Sequence, residues 1–242
     1  MSVFNQNMQI KSSEIHRVCP EHDLLESVLS LDGNNILELG CGAAFLTRLI
    51  SKSGQNRQII AAEVDKIQHE KNLLIDDLPN VTFIEAGAQE LPLDDNSVDT
   101  VFMFKSLHHV PVTLMPNALS EIRRVLKSDG LAYISEPIYA GDFNQIIKLF
   151  NDEKMVRTQA FEAIRDAVDS GAFKLHKEMF FYSPVVFESF EEFENRILGA
   201  THTNFNIDDE LFHKVKRTFL SYTKDNNGKF LAPNRVDILK PL

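Results

Sequence analysis

The sequence predicts an α/β protein built on a doubly wound, mostly parallel sheet, and three observations carry that expectation. The stretch Asn35 to Ile50 opens with a short apolar run, Ile36 to Leu39, and passes through Gly40 and Gly42 into Phe45, Leu46, Leu49 and Ile50 at helical spacing. A strand therefore feeds a helix through a turn whose glycines tolerate unusual backbone angles and let a ligand approach the main chain. Further apolar runs at 59–62, 81–84, 98–104 and 131–135 alternate with helix-forming segments, the pattern of parallel strands joined by right-handed crossovers. An acid, Glu63, closes the second run about 20 residues beyond the glycine turn, where an open parallel sheet faces its ligand crevice.

Composition bounds what this sheet serves. The 242 residues suffice for one large domain, and two full domains are not expected. A formal net charge of -10 disfavours a nucleic-acid or anionic-membrane surface, which needs clustered Lys and Arg. Two cysteines, Cys19 and Cys41, are too few for a disulfide framework, and reduced thiols are expected. Met1 to Ile10 lacks the basic start and apolar run of a secretory signal, and no apolar run approaches the roughly 20 residues of a membrane span. A soluble, cytoplasmic protein is expected, as a monomer or homodimer.

In chain order, residues 1–19 read as a loosely ordered segment, polar from Met1 to Ser13. Pro20 and Glu21 open a helix with Leu24, Leu25, Val28 and Leu29 on one face, ended by Asp32-Gly33. Arg17, just upstream, is either a solvated surface residue or a group that approaches a ligand carboxylate. Ser53-Gly54 breaks the helix after the glycine turn, and Gln58 to Val64 forms the second strand. Glu63 is placed to accept from ribose hydroxyls, with Asp65 capping the helix from Lys66 to Asp76. Val81 to Ile84 is the third strand, and Leu91 to Ser97 is turn chemistry. Val98 to Phe104 is the fourth strand, ending at Lys105-Ser106-Leu107-His108-His109. Leu119, Ile122, Val125 and Leu126 mark a helix ended by Asp129-Gly130, and Leu131 to Ser135 is a fifth strand closed by Glu136-Pro137.

The glycine pattern narrows the ligand. A dinucleotide fingerprint would carry a third glycine at Phe45, so pyrophosphate binding and an NAD-dependent oxidoreductase are disfavoured. Glu38 ahead of Gly40 and Gly42 suits a nucleoside that bears an ammonium group and no phosphate. S-adenosylmethionine is such a ligand.

Four blocks in fixed order carry a family likeness: Ile-Leu-Glu-Leu-Gly-Cys-Gly at 36–42, the acid after strand two, Gln-Glu-Leu-Pro-Leu at 89–93 leading to Val98-Asp99, and Glu-Ile-Arg-Arg-Val-Leu-Lys-Ser-Asp-Gly at 121–130. Over Ile36 to Pro137 the sequence resembles class I S-adenosylmethionine-dependent methyltransferases, particularly the group called methyltransferase type 11. The resemblance implies a seven-stranded, Rossmann-like methyltransferase fold in which Val236 to Leu239 is an antiparallel final strand. It implies that Glu38, Gly40, Cys41 and Gly42 hold the methionine part and adenosine edge of the cofactor, and that Glu63, followed by Val64, holds the ribose. Gly87 takes the place of the acid that relatives commonly direct at adenine, leaving the Ala88 N–H and a substitute from Gln89 or Glu85. Phe104 and Lys105 correspond to the segment whose backbone meets the cofactor's ammonium group.

Beyond Tyr139 the likeness fades. Residues 141–171 read as a helical lid inserted after strand five, Met179 to Phe187 as a sixth strand, and Phe190 to Ile197 and Leu211 to Phe219 as helices. The dense phenylalanines from Phe143 to Phe193 read as core or as the wall of a pocket for an apolar or aromatic acceptor. His108 and His109 are candidate proton acceptors, while no histidine spacing marks a metal site. The expected activity is transfer of the cofactor's methyl to an O, N or C nucleophile of a small molecule, leaving S-adenosylhomocysteine. The alternative is a cofactor-binding regulatory or scaffold protein without turnover.

Overall fold

The computed structural model describes residues 8–199, 205–224 and 227–242. The part of the loosely ordered N-terminal expectation that falls on residues 1–7 lies outside them. One seven-stranded sheet forms the middle layer, in the order β3-β2-β1-β4-β5-β7-β6. Its strands are β1 (Asn35–Leu39), β2 (Gln58–Glu63), β3 (Val81–Glu85), β4 (Val98–Phe104), β5 (Leu126–Pro137), β6 (Phe173–Val186) and β7 (Lys229–Pro241). The first five are parallel, and β7 inserts antiparallel between β5 and β6. The strand order reverses between β1 and β4, and a crevice opens at the carboxyl ends of strands on either side of such a switch point.

The helices are α1 (Glu21–Val28), α2 (Phe45–Lys52), α3 (Lys66–Asn72), α4 (Met115–Val125), α5 (Asp142–Ile147), α6 (Lys154–Asp169), α7 (Phe190–Phe193) and α8 (Asp209–Thr223). One face of the sheet packs with α4 and α6, where Ile122, Phe161 and Ile164 join Val101 and Ile134 in one cluster. The other face carries Leu24, Leu25, Ile50, Phe102 and Tyr133. A separate cluster of Phe187, Phe190, Phe193, Phe219 and Phe230 holds α7 and α8 against the end of the β6–β7 pair. No helix among the described residues is long and apolar enough to cross a membrane.

Several boundaries differ from the sequence reading for identifiable reasons. Leu126, expected on the fourth helix, begins β5: the ladder to β4 pairs Val98 with Leu126, then shifts register and resumes at Thr100 with Leu131. Asp99 anchors that irregularity by accepting from Lys127 Nζ at 2.7 Å and from Asn35 N–H at 2.9 Å. β6 begins six residues before the expected Met179, because Lys174, Lys177 and Glu178 interrupt the apolar pattern and a register shift between Leu175 and Lys177 breaks its alternation. Beyond α7 the chain widens into a π-helical turn over Glu194–Leu198. Cys19 N–H donates to the Tyr182 carbonyl and Tyr182 N–H to the Arg17 carbonyl, so the chain ahead of α1 is fastened to β6.

The region expected as a lid divides in two. α5 is short and covers a cavity described below, whereas α6 buries Phe161 and Ile164 in the main core. Truncation of Ile164, fully buried, to alanine should cost about 2–5 kcal/mol. Denaturant unfolding measures this, and a loss below about 1 kcal/mol would show α6 to be a covering element only.

Candidate active site

The turn from β1 into α2 is built from backbone conformations that side chains disfavour. Gly40 (φ 71°), Gly42 (φ 52°) and Ala44 (φ 59°) all adopt left-handed angles, and Ala44 does so with a side chain, at a cost of about 1 kcal/mol. A Cβ on Gly40 would lie 2.8 Å from Ser106 Cβ, so the β4 loop packs directly on this turn. Ser106 Oγ seals the contact by donating to the Leu39 carbonyl at 2.8 Å. A Cβ on Gly42 would meet none of the described residues within 4 Å, leaving that side of the turn open among them.

Two carboxylates support the turn from below. Glu63 Oε2 accepts from Gly42 N–H at 2.7 Å, and Oε1 accepts from Val64 and Asp65 N–H at 2.8 and 2.9 Å. A carboxylate offers about four acceptor positions, so Glu63 keeps one, on Oε2. Glu38 is buried and accepts from Thr47 Oγ1 on α2 at 2.7 Å. Burial, with a contribution from the nearby Glu63 charge, pushes its carboxyl up to about 7 against the Thr47 hydrogen bond. Burial, then Glu38 and Glu63, raise the Cys41 thiol, which excludes a thiolate nucleophile near neutral pH. Asp65 caps α3, its Oδ1 accepting from Ile67 N–H at 3.0 Å, while Val64 is 66% exposed beside it.

At the end of β3, Gly87 and Gln89 share one space. A Cβ on Gly87 would fall 2.5 Å from both terminal atoms of the Gln89 amide, so that amide stands where a side chain at 87 would project. Glu85 instead pairs with Lys66 at 3.4 Å. At the end of β4, Phe104 packs on Phe102 and Tyr133. Lys105 follows at a left-handed φ of 55°, donates its N–H to the Ser135 carbonyl at 2.7 Å, and pairs Nζ with the buried Glu21 of α1. Arg17 is exposed and donates to Ser27 Oγ at 2.7 Å, so no contact of its guanidinium joins it to the glycine turn.

A cavity of about 400 Å³ opens on the far side of the β4 loop. Ile138, Phe143, Ile147, Phe150, Val185 and Phe205 form its apolar wall, and Lys105, His108, His109, Asn144, Glu153 and Arg157 its polar one. His108 is buried, and its Nδ1 lies 2.5 Å from Glu136 Oε2, while Glu136 Oε1 accepts from Leu107 N–H at 3.0 Å. This fixes the ring with Nε2 on the Glu153 side, 3.9 Å from Glu153 Oε1 and beyond hydrogen-bonding reach. Desolvation works to lower the His108 pKa, but the charge and hydrogen bond of Glu136, helped by Glu153, outweigh it and hold the imidazole above its ordinary 6.5. Desolvation likewise opposes ionisation of Glu136, yet His108 and Arg235 keep its carboxyl below the usual range. His109 is exposed, with its ring 4.1 Å from that of His108.

His108, His109 and Glu153 also bring three ligand-type atoms within 4.8 Å of one another. Glu153 is already engaged by Arg157 at 2.6 Å and by Asn151 at 2.8 Å, and a guanidinium on the same carboxylate opposes a second cation. The arrangement handles a proton more readily than a metal. Glu153, Arg157 and Asn144 carried no site signal in the sequence, since nothing local marks groups that lie 36 to 49 residues from His108 and share its cavity only in the fold. The acid closing strand five was the single legible hint.

The sheet order and the glycine turn at its switch point define a Rossmann-like class I methyltransferase fold. Residues 36–130 match the model of the methyltransferase domain family. That match falls on the part of the chain whose motifs carry the class I likeness. It is 30% identical over 132 residues to a demethylmenaquinone methyltransferase of Staphylococcus carnosus, covering 52% of this chain and 52% of that one. It is 32% identical over 104 residues to a ubiquinone/menaquinone biosynthesis C-methyltransferase of Campylobacter jejuni, covering 42% and 43%. The chain thus spans about half the length of the curated relatives it matches. Among solved structures, a Bacillus halodurans C-125 protein provisionally described as a methyltransferase superposes with a TM-score of 0.62 at 14% identity, covering 92% of this chain and 99% of the other. At that identity the likeness concerns the fold.

The Glu38 carboxyl gives a stability signature. Its folded pKa lies above the unfolded 4.5, so the stabilisation is complete below about pH 4.5 and is lost as pH rises through about 7, a change worth about 3 kcal/mol. Unfolding curves over that range should show the wild type losing stability relative to Glu38→Gln by an amount of this order, with no further change above about pH 8. Parallel curves would place the Glu38 carboxyl in solvent.

Proposed function

We propose that the chain binds S-adenosylmethionine in the crevice between β1 and β4 and catalyses methyl transfer to an O, N or C nucleophile of a small apolar or aromatic molecule held in the cavity beyond. One observation carries the reading: the crevice and the cavity share a wall. Ser106 packs on Gly40, and Lys105, one residue before it, lines the cavity that holds His108. When bound, the cofactor supplies an electrophilic methyl on a sulfonium sulfur. The residues around the turn suit it. Gly42 leaves open space for close approach, the Phe104 and Lys105 carbonyls are the acceptors an ammonium group needs, and the remaining Oε2 position of Glu63 accepts one ribose hydroxyl. Val64 offers an apolar surface to adenine, the Ala88 N–H a donor, and the Gln89 amide stands in for the absent acid at 87.

In the cavity, Glu136 orients His108 and stabilises its imidazolium, so His108 Nε2 takes the proton that the acceptor loses. Such proton transfer contributes typically 10² to 10⁴-fold, with alignment of the acceptor and exclusion of water contributing beside it. His109, exposed on the same turn, lines the entry to this site. The relatives named above are methyltransferases of small molecules by name, one of them acting on carbon, which supports a small-molecule acceptor. The net charge of -10 argues against a nucleic-acid partner.

Calorimetry with S-adenosylmethionine and S-adenosylhomocysteine tests the cofactor assignment. Both should bind, Glu63→Ala should weaken binding by at least 10-fold, and Gln89→Ala by about 5- to 10-fold through loss of one hydrogen bond. Binding of neither nucleoside refutes the reading; tight binding without turnover on any acceptor favours the regulatory alternative. With an acceptor in hand, the rate should rise with pH as His108 deprotonates, above the ordinary histidine value. Glu136→Gln removes the carboxylate that raises His108, so the acidic limb should move to lower pH while the maximal rate falls. An unmoved limb would remove His108 from proton transfer.

A further inference from the structure

The polar groups of the cavity divide into those whose partners are complete and those whose partners are missing. Lys105 pairs with Glu21, His108 with Glu136, Arg157 with Glu153 and Arg196 with Glu192, so each of these four cationic groups already has its own carboxylate. A carboxylate or phosphate that used the charge of any of these four groups would have to break its pair, and an ammonium group that used one of their carboxylates would have to do the same. In a partly buried site that exchange is costly.

Two amides stand in contrast. Asn144, on α5, is 7% exposed, and its Oδ1 accepts from Arg157 Nη1 at 2.9 Å. A guanidinium only donates, so the atom facing it is the oxygen, and the orphaned atom is the donor Nδ2, buried without a partner among the described residues. Asn234, on β7, is fully buried, and its Nδ2 donates to the Ala232 carbonyl at 2.8 Å. A carbonyl only accepts, so the amide orientation is fixed in the opposite sense and the acceptor Oδ1 has no partner among the described residues. Both residues line the cavity. Buried polar atoms of this kind are nearly always satisfied, and leaving one unpaired costs about 1–3 kcal/mol.

We propose that Asn144 and Asn234 are specificity-determining residues that select an uncharged head group offering both an acceptor and a donor, a hydroxyl or a primary carboxamide, on an apolar body that fills the phenylalanine-lined part of the cavity. The donor of Asn144 meets the oxygen of the head group, and its proton meets Asn234 Oδ1 or, in the reacting orientation of a hydroxyl, His108 Nε2. The inference rests on the cavity being the acceptor site, but it concerns how that cavity recognises a ligand, which binding alone reads out.

Five probes on one scaffold test it: 2-naphthol, 2-naphthamide, naphthalene, 2-naphthoate and 2-naphthylmethylammonium, each titrated by calorimetry at pH 7 into the full chain with and without S-adenosylhomocysteine. Naphthol and naphthamide should bind at least 10-fold more tightly than the other three. Asn144→Asp keeps the oxygen that faces Arg157 and replaces the orphan donor with an acceptor, so it should reduce the advantage of naphthol over naphthalene to about 2-fold or less. Equal or tighter binding of naphthoate or of the ammonium probe overturns the proposal, as does an unchanged preference in Asn144→Asp or binding by none of the five. Failure of S-adenosylhomocysteine to bind, with the probe order intact, would sink the cofactor assignment and leave the head-group selection standing.

Discussion

The carboxylate of Glu63 is the fastening on which the rest of the site depends. One of its oxygens holds the glycine turn through Gly42 N–H, and the other gathers the two N–H groups that begin the loop after β2. Hydrogen bonds to an ionised acceptor are about twice as strong as neutral ones, and three on one group tie two loops that the parallel ladder alone leaves free. With the turn held from that side, Ser106 closes on it from the other through the Leu39 carbonyl and the missing Cβ of Gly40. The strain of left-handed angles at Ala44 and Lys105 is carried by these contacts.

A second buried pair sets the character of the cavity. His108 and Glu136 face each other at the ends of β4 and β5, across a wall otherwise occupied by apolar side chains. Burying two charges is expensive, and the pair endures because Leu107 N–H and the nearby Arg235 supply further stabilisation to the carboxylate. Behind them, Arg235 donates to Asp237 at 2.7 Å and lies over the Phe161 ring at 4.5 Å. The His108 end of the cavity is thus rooted in β7 and α6, elements outside the part of the chain that matches the methyltransferase family model.

Most of the glycine-turn crevice was legible in the sequence. Gly40, Gly42, Glu63 and the acid cap Asp65 are recognisable because their roles are set by local backbone geometry, and local geometry is written in neighbouring residues. The exchange at 87 and 89 was legible only as a departure: the sequence shows a glycine where an acid is expected, and the structure puts the Gln89 amide into the vacated space. Arg17 was the candidate that the fold did not bring to the turn, because Ser27 of α1 takes its guanidinium. The cavity was less visible. Its phenylalanines read first as core and second as wall, and the structure divides them, with Phe187 and Phe193 in the core and Phe143 and Phe150 on the wall.

By itself, then, the sequence determined the doubly wound sheet, the strand-turn-helix at its centre and the acid that faces it, since hydrophobic period and glycine placement act over a few residues. Tertiary structure alone decided which distant groups meet. It set the inward or outward face of the second-half helices, the partners of His108, the pairing of every charge around the cavity, and the two amides left with an atom to spare. Those outcomes depend on strand register and on the insertion of β7 between β5 and β6, which are fixed by packing across the whole domain and by no single stretch of chain.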